Sequence, residues 1–203
     1  MDYPIVLLSS WLVKTISDKV EDQQTYLSNI VAKGFINYQG PGKCNIDWTP
    51  ILRVFKYTNT TAKREICAIL NESSHKILVL FTRECISKFE SEYSQRLTSC
   101  PVHSLIIIRR ANLRFATNSF LRDNFKGIKI ELERGTEVVY LEILEIEVFY
   151  RTAMRVEATH ENKLRFVYGA ENYREKFNKE NINNDGLKWS ILAMNDGMIS
   201  DEE

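Results

Sequence analysis

Ser73-Ser74-His75-Lys76-Ile77-Leu78-Val79-Leu80-Phe81-Thr82-Arg83-Glu84-Cys85-Ile86-Ser87-Lys88-Phe89-Glu90 changes character once, at Thr82. Before that residue, His75 to Phe81 reads as a strand. After it, Cys85, Ile86, Phe89 and Tyr93 recur at helical spacing, which predicts a helix from Arg83 to about Tyr93. Thr82 suits the junction, because its hydroxyl can accept one of the backbone N–H groups that a helix start leaves free.

Upstream, Asn71-Glu72-Ser73-Ser74 is turn-like and Glu65 to Leu70 reads as a strand, so a hairpin with a four-residue loop is expected. Ile51 to Tyr57 precedes it as another strand, across the polar loop Thr58 to Arg64. Downstream, Ser104 to Ile108 and Leu113 to Thr117 continue a sheet across a short break at Arg109-Arg110. Ile128 to Leu132 alternates apolar and charged residues and predicts one more strand. The turn Glu133-Arg134-Gly135-Thr136 then leads into the longest strand, Val138 to Tyr150. Three strands, a helix, then two or more strands is the order of an OB-fold: mainly β with flanking helices, built on a five-stranded Greek-key barrel.

At the N-terminal side, Ser10 is the expected cap of a helix that begins at Trp11 and repeats Leu12, Ile16 and Val20. Such a helix can cover one mouth of the barrel. Residues 21–47 carry weak signals, and from Trp48 onward the pattern changes to strands. Gly40-Pro41-Gly42 marks a turn, and Lys43 after it lacks the spacing of a phosphate loop. Residues 1–168 are therefore expected to form the OB domain with its N-terminal helix, and 169–203 a polar tail. That tail is either mobile with a short helix around Tyr173 and Phe177, or a docking segment for a partner or for the barrel itself. Leu187, Trp189, Ile191 and Leu192 form a short apolar patch within it.

Composition narrows the chemistry. Twenty-seven Lys and Arg balance twenty-seven Asp and Glu. A binder of single strands acting mainly through phosphates would carry a basic excess, so polypeptide partners are the first expectation. Cys44, Cys67, Cys85 and Cys100 form no C-x-x-C pair, and His75, His103 and His160 lack metal spacing. No nucleophile elbow or general-base pair appears, and neither a cofactor nor catalysis is expected. Cys67 and Cys85 lie among apolar neighbours, which points to reduced thiols inside a cell. No apolar run approaches the length of a membrane span, so a soluble protein without a membrane role is expected.

Strand alternation from Leu141 to Phe149 sets Leu144, Ile146 and Val148 on one face as a core row. The other face carries Glu145, Glu147 and Phe149, a ring flanked by two carboxylates. That pattern suits a polypeptide with apolar and basic surface, since the ring supplies buried area and the acids supply register. The competing reading is single-stranded DNA in the barrel groove, supported by Arg109-Arg110, Arg114 beside Phe115, and the stretch Lys126 to Lys129. An OB domain of general replication or repair machinery is a third.

The Ser73–Glu90 block resembles the third "ever shorter telomeres" protein family, the small OB-fold subunit of budding-yeast telomerase. Ile107-Ile108, Ala111-Asn112-Leu113 and Thr117-Asn118-Ser119 form a second similar block, and Trp11-Leu12 with Ile16 a third. This last helix is also similar to the one opening the OB domain of the shelterin subunit that recruits telomerase. The resemblance spans roughly residues 5–168 and implies a non-catalytic telomerase holoenzyme subunit, nuclear and at telomeres. The implied partners are the reverse transcriptase subunit and a second accessory subunit. Nucleic acid is expected to bind weakly or indirectly, and self-association to be weak at most. Family interaction residues align onto Trp11, Glu90, Pro101, His103, Glu145, Glu147 and Phe149, although Pro101 and His103 depart from the small polar side chains of the family. Glu72 and Arg96 align with an acid–base pair, implying an intramolecular ion pair that ties the Glu72 turn to the loop after the central helix.

Overall fold

The computed structural model describes residues 8, 10–21, 51–150 and 163–178. The Gly40-Pro41-Gly42 turn, Cys44, His160 and the patch around Trp189 lie outside them.

The hairpin forms with a loop one residue shorter than read, Glu72 to Ser74, and the strand before it runs on to Thr60, into the stretch read as loop. β1 (Ile51–Thr60), β2 (Ile66–Asn71) and β3 (His75–Phe81) pair antiparallel in sequence, with Ile66 opposite Phe81 and Asn71 opposite Lys76. Thr82 then caps α2 (Arg83–Tyr93), accepting the Cys85 N–H at 3.1 Å, a cap that contributes about 1 kcal/mol. Before this hairpin lies α1 (Leu12–Glu21). β4 (Leu105–Phe115) and β5 (Val139–Tyr150) are antiparallel partners. β4 returns to β1, and β5 runs parallel to β3, which closes a barrel in the order β1-β2-β3-β5-β4. This is the OB-fold that the element order predicted.

The core fills from every strand. Leu52, Val54, Ile77, Val79, Ile106, Ile108, Leu141 and Ile143 are all buried, and every residue of β2 is buried. Cys85, Ile86 and Phe89 of α2 join that cluster, as do Leu12 and Ile16 of α1. Val20 falls in α1, but its side chain lies outside the described set.

Several expectations give way. The helix α1 starts one residue later than expected. The Trp11 carbonyl accepts the first helical bond, from Thr15 N–H at 3.0 Å, while Ser10 Oγ pairs with Ser74 Oγ instead of capping. The break at Arg109-Arg110 is a pair of offset bulges inside a continuous β4–β5 ladder: Ile108 faces Ile146, Arg110 faces Glu145, and Ala111 faces Ile143. Arg109 is the extra residue on one strand and Leu144 on the other. Leu144 is consequently half-buried and absent from the core row, whereas Ile146 is buried and Val148 packs against the core. Ile128 to Leu132 pairs with no strand among the described residues; Ile128 and Ile130 lean on the core without a ladder neighbour there. The short helix α3 (Asn118–Asn124), capped by Thr117 Oγ1 on Phe120 N–H, was not foreseen.

Past Tyr168 the chain stays with the barrel as far as residue 178. β6 (Arg165–Phe166) lies parallel to the start of β3, and α4 (Glu171–Phe177) follows it. Tyr168, Tyr173 and Phe177 are fully buried, and α4 packs on α1. The Tyr168 hydroxyl accepts the Leu78 N–H of β3 at 3.2 Å and donates to the Val139 carbonyl of β5 at 2.6 Å. Tyr173 braces the entry to β5 instead, accepting from Val139 N–H at 3.1 Å and donating to the Glu137 carbonyl at 2.6 Å. Tyr168 alone of the two spans the β3–β5 seam, where the parallel ladder, from Val79 to Phe81, has not yet begun.

Candidate docking face on the last barrel strand

The far half of β5 runs on beyond the end of β3. After the Leu144 bulge, Glu145 and Glu147 flank the buried Ile146 on the opposite, outward side, and a further bulge leaves Phe149 as the extra residue between Val148, which faces Ile106, and Tyr150, which faces Leu105. Glu145 and Glu147 are about a third exposed, at 32% and 39% of their side-chain areas. Phe149 is half-buried. None of the three is folded into the core.

Each acid is met by a base of the same chain. Lys88 Nζ of α2 donates to Glu145 Oε1 at 2.5 Å, and Arg109 of β4 pairs with Glu147. Arg110, directly across the ladder from Glu145, donates to Glu84 Oε1 of α2 at 2.6 Å. Glu84 and Lys88 stand one turn apart on one helix side. The four groups alternate in sign, and their two α2–sheet ion pairs, with a bond from the Val148 N–H to the Tyr93 hydroxyl at 3.3 Å, lay α2 alongside β5. Neither Lys88, Glu84 nor the two arginines was identified from sequence as part of this face; only the i,i+4 spacing of Glu84 and Lys88 hinted at it.

The other aligned residues sit on α2, in the turn before β4 and ahead of α1. Glu90 is exposed on α2, one turn before Tyr93. Pro101 is exposed and His103 half-buried in a turn that precedes β4, and the first residue of β4, Leu105, sits opposite Tyr150 at the end of β5. Tyr57 fixes the approach to this turn by donating to the carbonyls of Leu97 and Cys100, both at 3.2 Å. His103 takes a left-handed φ of 75°, and Ser104 N–H closes the turn on the Pro101 carbonyl at 3.1 Å. Trp11 is half-buried, and its indole N–H donates to the Ile51 carbonyl at 3.3 Å. Ile51 faces Ile107, which faces Glu147, so β1 and β5 are two strand spacings apart here, about 10 Å.

Glu72 and Arg96 do not form the expected pair. Glu72 is fully buried and its carboxylate accepts Trp11 N–H at 2.6 Å, Ser74 N–H at 2.8 Å, Ser74 Oγ at 2.9 Å and His75 N–H at 2.6 Å. Its one ion-pair partner among the described residues is His75, at 3.6 Å. Burial alone would raise its pKa, but the hydrogen bonds from His75 and Ser74 outweigh it and hold the group below the ordinary carboxylate range. Arg96 is exposed at the start of the 3₁₀ turn Leu97–Ser99. The carboxylate ties the β2–β3 turn to the start of α1 instead of to the loop after α2.

Among the described residues no group of His, Cys, Asp and Glu could hold a metal ion, and no helix is long and apolar enough to cross a membrane.

Comparison with known proteins places this architecture. Residues 8–165 match the family of the shelterin complex subunit TPP1/ACD. The chain is similar to the telomere replication protein EST3 of Debaryomyces hansenii, 34% identical over 84% of this chain and 81% of the relative. It is likewise similar to EST3 of Candida albicans, 30% identical over 88% of this chain and 81% of that one. The solved structure of the Est3 telomerase subunit from the yeast Hansenula polymorpha superposes with a TM-score of 0.56, covering 87% of this chain and 88% of that one at 21% identity, a likeness of fold. The chain belongs to the EST3 telomere replication proteins, within the TPP1/ACD shelterin-subunit family.

Proposed function

We propose that this protein is a non-catalytic subunit of the telomerase holoenzyme, nuclear and telomere-bound, that works by holding other polypeptides. The reverse transcriptase subunit and a second accessory subunit are the partners. The observation that supports the reading is the far half of β5: Glu145 and Glu147 are partly exposed on its outward side, Phe149 is half-buried beyond them, and the turn holding Pro101 and His103 leads into Leu105, which pairs with the end of β5. The relatives' names, telomere replication protein and telomerase subunit, supply the context. A partner bringing its own Arg or Lys to Glu147 would replace Arg109, exchanging one partly exposed ion pair for another while Phe149 and Trp11 lose water. Net affinity then comes from the rings and selectivity from the acids.

The single-strand reading loses its cations on the same surface. Arg109, Arg110 and Arg114 are engaged by Glu147, Glu84 and Glu142, so phosphates would have to compete with carboxylates already in place.

Co-purification decides between these readings. Glu147→Arg, shown to be folded by its thermal melt, is expected to lose the reverse transcriptase and telomerase RNA from cell-extract pull-downs and to shorten telomeres. Undiminished association and normal telomere length would remove the proposal.

A further inference from the structure

A cleft of about 900 Å³ opens at the other end of β3, far from the acidic face. One wall is the segment 129–133, the other β6 with Leu164 before it and Arg174 of α4 nearby. From Lys76 along β3 and β5 to Glu147 is about 30 Å of extended chain. The two surfaces are separate.

Both walls present unused backbone. The alternating stretch 128–132 has a strand's pattern but no ladder, and the peptide groups of Lys129 to Leu132 make no hydrogen bond among the described residues. Among the described residues β6 is the edge of its sheet, bonded to β3 on one side only. An exposed edge with free N–H and C=O groups is a template for one more strand. Leu132, 40% exposed, is one of two large hydrophobic residues standing out among the described residues, and it lines this cleft.

The charges select the occupant. Glu133 is taken by Arg174. Lys129 and Arg165 are exposed and have no ion-pair partner among the described residues, and Lys76 adds a third cation, its ammonium 4.8 Å from the Phe55 ring centre and 4.6 Å from that of Phe166. Glu131 alone opposes them. Phe166 is no platform for a nucleobase, since its ring is already engaged by Lys76 and by Tyr168, 5.8 Å away and nearly parallel. We propose that this cleft is a second docking slot, which takes an extended stretch of another polypeptide with alternating acidic and aliphatic side chains by adding it as a strand to β6. Backbone pairing supplies the register, Leu132 the apolar contact, and Lys129 with Arg165 the preference for carboxylates.

The test uses the full chain, isotope-labelled, titrated at low salt with short end-blocked peptides of alternating Glu and Val, the same design in Lys and Val, and an oligothymidylate. The acidic peptide is expected to shift the amide signals of 129–132 and 165–166, to slow their hydrogen exchange, and to bind at least about tenfold tighter than the basic one. The double variant Lys129→Glu with Arg165→Glu should reverse that preference, with an unchanged melt. Glu147→Arg should leave it untouched, which keeps this outcome independent of the β5 face. The proposal is overturned if no peptide perturbs those amides, if acidic and basic peptides bind alike, or if the oligothymidylate binds there more tightly than either.

Discussion

The carboxylate of Glu72 accepts the backbone N–H of Trp11 at 2.6 Å, although the two stand sixty-one positions apart in the chain. One buried oxygen pair therefore fixes both the β2–β3 turn and the entry to α1. Glu72→Gln replaces an acceptor by a donor amide facing N–H groups, and should lower unfolding stability by about 2–3 kcal/mol. The pKa of this group is depressed in the fold, so the unfolded chain binds more protons in the window between the folded value and about 4.3. Its stabilisation is complete above that window and is lost as pH falls through the folded value. Urea midpoints of wild type and variant should converge as pH drops below about 4. Arg96→Glu should move the midpoint by under about 0.5 kcal/mol, and Glu72→Arg should not rescue it.

Tyr168 and Tyr173 give the second expectation. Removing either hydroxyl strands a buried N–H, of Leu78 or of Val139, and a carbonyl as well. Tyr168→Phe and Tyr173→Phe should each cost about 1–3 kcal/mol. Both phenols bond Val139, so the double variant should depart from additivity. Thermal or denaturant unfolding of the four proteins measures this.

Arg109→Gln frees Glu147 from its intramolecular partner. Stability should change little, since a partly exposed pair contributes about 0–1 kcal/mol. Capture of the reverse transcriptase should strengthen severalfold, and its salt sensitivity should rise. Weaker capture would mean that Arg109 itself touches the partner.

Burial pushes the thiols of Cys67 and Cys85 up to about 12. The reactive thiolate is then scarce at pH values near neutrality. Iodoacetamide at about pH 8 should leave both unmodified in the folded protein and label both in urea, as read by peptide mass spectrometry.

Local signals were legible wherever short-range chemistry decides. Thr82 announces its cap and His75 to Phe81 its strand, because a hydroxyl before an amphipathic turn and an apolar run need no distant partner. Leu144 defeats alternation, since its bulge exists only relative to Arg109 and Arg110 on the neighbouring strand. Ile128 to Leu132 has a strand's pattern and lacks a strand to pair with, which no single segment can reveal. Tyr173 and Phe177, one helical turn apart, announce their short helix, but their Glu, Arg, Lys and Asn neighbours left open whether its two rings enter the core, which they complete. At the candidate face, the bulge at Phe149 escaped strand period, whereas the partly exposed acids Glu145 and Glu147 were readable from it. Their basic counterparts were not, because Lys88 and Arg109 meet them only through the packing of α2 and the β4–β5 register. The Glu72 tie to Trp11 had no spacing that could give it away.

The Tyr168 peg across the β3–β5 seam imposes an order on the life of the chain. A ribosome that has just completed β5 has released all five barrel strands but not the ring that bridges two of them, nor Tyr173 and Phe177, which complete the core behind it. Until those emerge, β3 and β5 meet only along Val79 to Phe81, and the backbone groups that Tyr168 engages stay open to pairing with neighbouring chains. Fragments ending ahead of Tyr168 should for this reason be aggregation-prone, and the polar-looking stretch that follows it brings the two rings that seal the barrel's base.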